Sequence, residues 1–161
     1  MMRVDCFFPR YSQYMTPAQT FTVQIVEWSE HHDELARIRT EVFVNEQNVP
    51  AKIVMDELDA TCVHAAAYDP LGNLVGTGRL VLAPPIPRIG RMAVQKVWRN
   101  AGVGGGLLTA LCDAAKQHGF SEVMLHSQTH ATPFYYKHGF LSRGPEFFEA
   151  SIPHQEMRKQ I

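Results

Sequence analysis

Arg99-Asn100-Ala101-Gly102-Val103-Gly104 is the stretch on which the fold turns, because it joins a strand-like run, Arg88–Gln95, to a helix-like run that continues to His118. Glycine between a strand and a helix lets the backbone approach a ligand closely, and the unpaired N–H groups of the helix's first turn attract anions. Residues 99–104 are therefore a candidate phosphate site. Two other glycine-rich phosphate patterns fail. A dinucleotide fingerprint starting at Gly102 requires glycine or alanine at 107, where Leu107 stands, and no Gly-Lys-Ser/Thr triplet follows to make a P-loop. From local sequence alone, a turn that only permits close helix–sheet packing is the alternative.

On the C-terminal side, Leu107, Leu108, Leu111 and Ala115 form a buried helical stripe, and Gly119 takes the place just past the helix end. Glu122–Ser127 reads as a central strand and Ala131–Lys137 as a short helix ended by Gly139, with Phe140–Arg143, Phe147–Ala150 and Gln155–Lys159 supplying the last strands. On the N-terminal side, Cys62–Tyr68 and Leu74–Leu82 make a hairpin about Asp69-Pro70-Leu71-Gly72-Asn73. Phe21–Trp28 is a first strand. A helix follows, with Ser29 and Asp33 as candidate caps, Leu35, Ile38, Val42 and Phe43 on one face, and Pro50 as its stop. Lys52 to Thr61 carries Asp56, Glu57 and Asp59 and reads as a loop or short helix, a solvated connection in the simplest view.

The order of elements is β, α, ββ, βαβα and ββ, which predicts one α/β (α+β) domain. At 161 residues the chain can bury roughly 70 % of its unfolded surface in a single core. A formal net charge of -1 supplies no global basic field, so neither nucleic acid nor an anionic membrane is an expected partner. No run is long and apolar enough to span a membrane or act as a signal peptide. Cys6, Cys62 and Cys112 are odd in number and far apart, which predicts reduced thiols and a cytoplasmic protein. Residues 1–20, with Phe7, Phe8, Tyr11 and Tyr14, read as an N-terminal extension that packs on the domain or on a partner, a homodimer included; residues 21–161 are the domain. His126 and His130 straddle a strand end with no third ligand at metal spacing, so no metal is predicted.

Arg99, Gly102 and Gly104 fit the pattern Arg/Gln-x-x-Gly-x-Gly/Ala, and with it the sequence resembles the GNAT superfamily of N-acetyltransferases. Arg88-Ile-Gly-Arg-Met-Ala-Val-Gln95 looks like the family's fourth strand and Val123-Met-Leu-His-Ser-Gln128 like its fifth. Phe134-Tyr-Tyr-Lys-His-Gly-Phe140 looks like the family's Phe-Tyr-x-Lys-x-Gly-Phe. Val42-Phe-Val-Asn-Glu-Gln47, Asp56-Glu-Leu-Asp59 and Ile152-Pro-His154 resemble the ElaA/YjcF-like branch. The resemblance implies a mixed sheet of about six or seven strands, splayed between the fourth and fifth, with helices on both faces. It also implies transfer of an acetyl group from acetyl-CoA to a primary amine, on a small molecule or a peptide, by direct attack in a ternary complex. A non-catalytic acyl-CoA-binding or sensing module is the alternative.

That reaction must hold acyl-CoA, deliver a neutral amine, stabilise an oxyanion and protonate a departing thiolate. The resemblance gives the backbone around Met92, Ala93 and Val94 to the pantetheine arm and thioester carbonyl. It gives the N–H groups of Arg99, Asn100, Ala101, Gly102, Val103 and Gly104 to the diphosphate, with Phe134 and Lys137 also at the cofactor. A phenol that stays protonated at neutral pH suits the thiolate. Tyr135 matches the family's acid, while Tyr136 points about 100° away on a helix; without the resemblance Tyr135 reads as a packed aromatic. Candidate bases are Glu46, Glu149 and His154, reached directly or through water. The acidic run around Asp56 to Asp59 is expected to attract a cationic amine. Cys112 reads as a small core residue, not a nucleophile.

Overall fold

A computed structural model describes residues 19–161. Expectations for the aromatic extension and Cys6 lie outside the described residues. Strands β1 (Thr22–Val26), β2 (Val63–Tyr68), β3 (Leu74–Val81), β4 (Arg88–Val94), β5 (Glu122–Gln128), β6 (Leu141–Glu149) and β7 (Ile152–Gln160) form one seven-stranded sheet in the order β1-β2-β3-β4-β5-β7-β6. Every neighbouring pair is antiparallel except β4 and β5. That pair is parallel because helix α2 (Val103–Gln117) carries the chain back between them. At the β2–β3 turn the Asp69 carboxylate accepts hydrogen bonds from the backbone N–H groups of Leu71 and Asn73, and Gly72 takes φ +83°.

Both faces of the sheet are covered, and the alternation along β2 shows how. Ala65 and Ala67 meet Leu107, Leu108 and Leu111 of α2, together with Val75, Leu80, Ile89 and Leu125. Ala66 and Tyr68 face the other way, toward Leu35 and Ile38 of α1 (Trp28–Arg39) and Val42 beyond it. Each fully buried leucine contributes about 1.5–3 kcal/mol. Small residues on β2 let both helices approach. Among the described residues no helix is long and apolar enough to cross a membrane.

Several expectations need correction. Neither Ser29 nor Asp33 caps the first helix, which begins after Glu27 without a side-chain cap. Beyond Arg39 it widens into a π-helical turn, Thr40–Glu46, before Pro50. The last two strands are longer than the apolar runs suggested: β6 is continuous from Leu141 to Glu149, with a register irregularity between Arg143 and Phe147.

The acidic segment is the largest departure. It forms two 3-10 turns, Ala51–Ile53 and Glu57–Thr61, the second closed by a reciprocal cap between Asp56 and Asp59. Asp59 is 1 % exposed, so this is no solvated connection. Its Oδ1 accepts hydrogen bonds from Arg39 Nη1 at 2.8 Å and Arg79 Nη1 at 2.9 Å, both guanidinium groups being buried as well. Arg79 also donates to both Asp56 oxygens, at 2.7 and 3.1 Å. His64 Nε2 donates to the Asp59 carbonyl at 2.8 Å, leaving Nδ1 to accept from Arg39 at 3.3 Å. Burial lowers the His64 pKa, in keeping with this neutral tautomer. Cations on α1 and β3 that are shut off from water need carboxylates, and the segment supplies them.

The sheet opens at one place. Between β3 and β4 the register runs Thr77↔Ala93 and then Arg79↔Gly90, so Gly78 alone faces Arg91 and Met92. This is a β-bulge, and Arg91 sits in it at φ +53°. Its side chain anchors the distortion: Nε donates to Val54 O at 2.8 Å, and Nη2 to Ile53 O at 2.9 Å and Asp56 Oδ2 at 3.1 Å. A Cβ on Gly78 would lie 2.6 Å from Met92 Sδ and 2.8 Å from Leu111 Cδ1, which is why glycine stands opposite the bulge. Past it, β4 no longer pairs with β5: their ladder consists of Arg88↔Met124 and Ile89↔Leu125. The expected splay is thus present, and its cause is visible.

Asp59→Ala should cost about 3–5 kcal/mol, because it strands two buried guanidinium groups; urea unfolding at pH 7 measures it. Burial by itself would raise the Asp59 pKa, but the hydrogen bond and charge of Arg39, with help from Arg79, outweigh it and hold the carboxyl below its ordinary range. A depressed folded pKa gives stability that is present above the unfolded value and lost as pH falls through the folded one. The wild type should therefore lose this contribution below about pH 4, and Asp59→Ala should show a shallower acid limb.

Candidate active site

Where β4 leaves β5, a cleft of about 520 Å³ opens, walled by Arg88–Met92 of β4, Leu125, His126 and Gln128 of β5, and Arg79 and Val81 of β3. Phe43 and Gln47 close one side, from the π-helical turn, and Glu149, Ala150, Ile152 and His154 close the other, from the β6–β7 turn. Tyr135 reaches it from helix α3 (Thr132–Lys137).

Tyr135 is buried edge-on against Phe134 and Phe140, with ring centroids 5.0 and 5.9 Å away. Burial pushes its pKa up to about 12. The residue lines the cleft. Tyr136 points elsewhere, is half-exposed, and pairs its hydroxyl with Ser142. The helical offset thus divides the two tyrosines as the spacing implied.

Two of the three candidate bases come together. His154 is 9 % exposed and donates from Nδ1 to the Ile152 carbonyl at 2.8 Å, so the lone pair of the neutral ring is on Nε2. That nitrogen lies 3.9 Å from Glu149 Oε2. The other oxygen of Glu149 is 2.9 Å from His126 Nδ1. Phe147 lies between the imidazoles, edge-on to His126 at 4.8 Å and stacked on His154 at 6.1 Å. In the sequence, His126 stands out only beside His130, against metal-ligand spacing. Its position was nonetheless legible, since it alternates with buried Leu125 and Ser127 and therefore faces the opened side of β5.

Glu46 is not brought to this cluster. It accepts a 2.7 Å hydrogen bond from Arg99 Nη2, and Arg99 Nε donates to Val94 O at 3.0 Å, so the arginine ties the loop to both the π-helical turn and the end of β4. Within the acidic run, Asp56 and Asp59 are engaged by Arg39, Arg79 and Arg91, which leaves Glu57 as its one exposed carboxylate without an ion pair among the described residues. Composition showed the acids; only the fold shows their arginines.

The glycine loop serves two purposes. Asn100 and Gly102 take positive φ, +63° and +89°, which turns the chain sharply into α2. No side chain caps that helix, and its first backbone hydrogen bond is Gly106 N–H to Gly102 O at 3.0 Å. The N–H groups of Val103, Gly104 and Gly105 are therefore without helical partners. Packing accounts for the glycines that follow: a Cβ would lie 3.1 Å from the Phe134 ring at Gly104, 2.7 Å from His138 Nε2 at Gly105, and 3.1 Å from Phe21 at Gly106. Phe134 is thus in contact with the helix start, Lys137 is exposed, Met92 and Val94 are half-buried, and Ala93 is buried toward α1.

Residues 19–161 match the acetyltransferase (GNAT) domain family. The chain belongs to the GNAT family. It is 44 % identical over 123 residues to YjcF of Bacillus subtilis (strain 168), described as an uncharacterized N-acetyltransferase, which spans 76 % of this chain and 87 % of that one. The fold is similar to that of Escherichia coli ElaA, with a TM-score of 0.77 and 26 % identity over 88 % of this chain and 100 % of that one. It is also similar to an acyl-CoA N-acyltransferase from Pseudomonas aeruginosa, with a TM-score of 0.76 and 27 % identity over 87 % and 99 % of the two chains. YjcF and ElaA together support the branch read from the sequence. The seven-stranded sheet with one parallel pair at β4 and β5 is the GNAT sheet that the motifs implied.

For this GNAT loop the left-handed turn is the exacting position. Gly102→Ala should cost about 1–2 kcal/mol, because φ +89° is strained for any residue with a Cβ. Gly72→Ala, also at positive φ but in a surface turn, separates the backbone cost from disturbance of α2; chemical denaturation of both variants makes the comparison.

Proposed function

We propose that the protein is an N-acetyltransferase that moves an acetyl group from acetyl-CoA to a primary amine by direct attack in a ternary complex. One observation carries this reading: a buried tyrosine and a carboxylate flanked by two imidazoles face the same cleft, at the point where β4 parts from β5. Acetyl-CoA supplies the acetyl group as an activated thioester. The chain's free donors suit its two polar ends. The unpaired N–H groups at the start of α2, with the turn from Asn100 to Gly102, suit a diphosphate; the N–H of Arg99, also expected there, is instead spent on the Lys96 carbonyl at 3.3 Å. The edge of β4 from Met92 through Ala93 to Val94, released from β5, suits the amides of a pantetheine arm.

The acceptor amine arrives as an ammonium ion and must lose a proton. His154 Nε2 and Glu149 Oε2 face each other at 3.9 Å, which makes the pair a place to put that proton. His126, donating to the other Glu149 oxygen, orients the carboxylate. Glu46, held by Arg99, has the separate task of fixing the loop. Tyr135 keeps its proton at Oη throughout the working pH range and delivers it to the departing sulfur. A module that only bound acyl-CoA would have no use for this arrangement. Cys62 and Cys112 are free thiols, which suits a reducing cytoplasm.

Purified protein, acetyl-CoA and a panel of amines provide the test, read as CoA released and acetylated product formed. Tight acetyl-CoA binding with no release from any amine would sink the catalytic reading. Tyr135→Phe should lower kcat by about 10²-fold while the acetyl-CoA Kd stays within about twofold. Because the phenol is held at about 12, the wild type should show no alkaline loss of kcat from this group below about pH 10. Glu149→Gln should lower kcat/KM by about 10²-fold at neutral pH.

A further inference from the structure

The acetyl-transfer reading leaves the chemistry of the acceptor open, and the charges of the cleft restrict it. Resting on that reading, we propose that the acceptor carries an anionic group, a carboxylate or a phosphate, a few bonds from its amine, and that Arg88 binds that group. Three arginines, Arg79, Arg88 and Arg91, line the cleft, whereas Glu149 is the single carboxylate among the described lining residues. Arg79 and Arg91 share Asp56 and Asp59 with Arg39, so three guanidinium groups meet two carboxylates and an excess positive charge stays in this wall. His64 is neutral by its hydrogen bonds and cancels nothing. Arg88 forms no ion pair among the described residues, although it is only partly exposed and lies at the cleft. Arg79, on the same wall, keeps a buried Nε without any hydrogen-bond partner.

A polyamine, or an amine within a basic peptide, would bring further positive charge to this wall and be repelled by it. A guanidinium fork suits the paired oxygens of a carboxylate or phosphate. The strand register sets the scale. Arg88 stands opposite Val81 on β3 and Met124 on β5, and His126 is two residues further along β5 on the same face as Met124. The cationic row and the proton-accepting row are therefore roughly 7 Å apart along the sheet. A compact molecule with an amine at one end and an anion at the other spans that distance, its amine at Glu149 and His154 and its anion at Arg88.

Two measurements test this, each on wild type, Arg88→Gln and Arg88→Lys, with circular dichroism and a melting curve to confirm that the variants fold. The first compares kcat/KM within matched acceptors: β-alanine against β-alaninamide, O-phosphoethanolamine against ethanolamine, and putrescine as a dication. At least one anionic member should exceed its neutral partner by about tenfold or more, its class telling carboxylate from phosphate. Arg88→Gln should collapse that ratio to within about twofold, and Arg88→Lys should retain part of it. The second titrates inorganic phosphate and succinate as unreactive probes; one should bind saturably and weaken by about tenfold in Arg88→Gln. Turnover that favours putrescine or ignores the anion overturns the proposal and leaves acetyl transfer standing. Probe binding that depends on Arg88, without turnover of any amine, supports the anion site and counts against acetyl transfer. Probe binding that is absent, or unchanged in Arg88→Gln, overturns the proposal.

Discussion

The bulge that holds Arg91 at φ +53° is the constraint on which the remainder of the site depends. A non-glycine residue there is strained by about 1–3 kcal/mol and persists only where its surroundings over-determine it. Three hydrogen bonds from its side chain to Ile53, Val54 and Asp56 do so. Asp56 is fixed in turn by Arg79, and Arg79 shares Asp59 with Arg39. A buried ionic network thus reaches from α1 through the 51–61 segment to β4. Past the bulge that it anchors, β4 has left its ladder with β5, and the cleft opens between them.

Once the strands part, side chains from distant stretches of chain meet. Arg79 and Arg88 come from β3 and β4, His126 from β5, Tyr135 from α3, and Glu149 and His154 from either side of the β6–β7 turn. Three of them are held by neighbours. Tyr135 is pinned by two aromatic neighbours, His154 by its bond to Ile152, and Glu149 by His126. Such fixed groups need little reorganisation when charge moves, which is the general requirement of a catalytic cleft. The same fixation gives the cleft two poles: a carboxylate with two imidazoles at the β6–β7 turn, and a cationic one on β3 and β4.

Much of this architecture was legible in the residues. The leucine stripe of α2, the turn chemistry of Asp69 to Asn73 and the glycines that precede α2 are local signals, and each element lies within a few residues of where those signals put it. Less local features were read less well. The π-helical widening after Arg39 has no periodic signature distinct from an α-helix, and the length of β6 follows from pairing with β7 and not from its own apolar runs. Asp56 and Asp59 looked solvated because charge in a loop is ordinarily solvated; Arg39 and Arg79 lie some 20 residues away in either direction, too far for any window to connect.

By itself, the sequence determined the order of elements, the glycine turn at residues 99–104 and the divergence of Tyr135 from Tyr136, because these depend on backbone chirality, hydrophobic period and helical offset, all properties of neighbouring residues. Tertiary structure alone decided which charges cancel. It buried the acidic run against arginines, committed Glu46 to Arg99, joined Glu149 to two histidines and left Arg88 without a partner. Electrostatic pairing depends on distance in space and on exclusion of water, and neither is written into the spacing of residues along the chain.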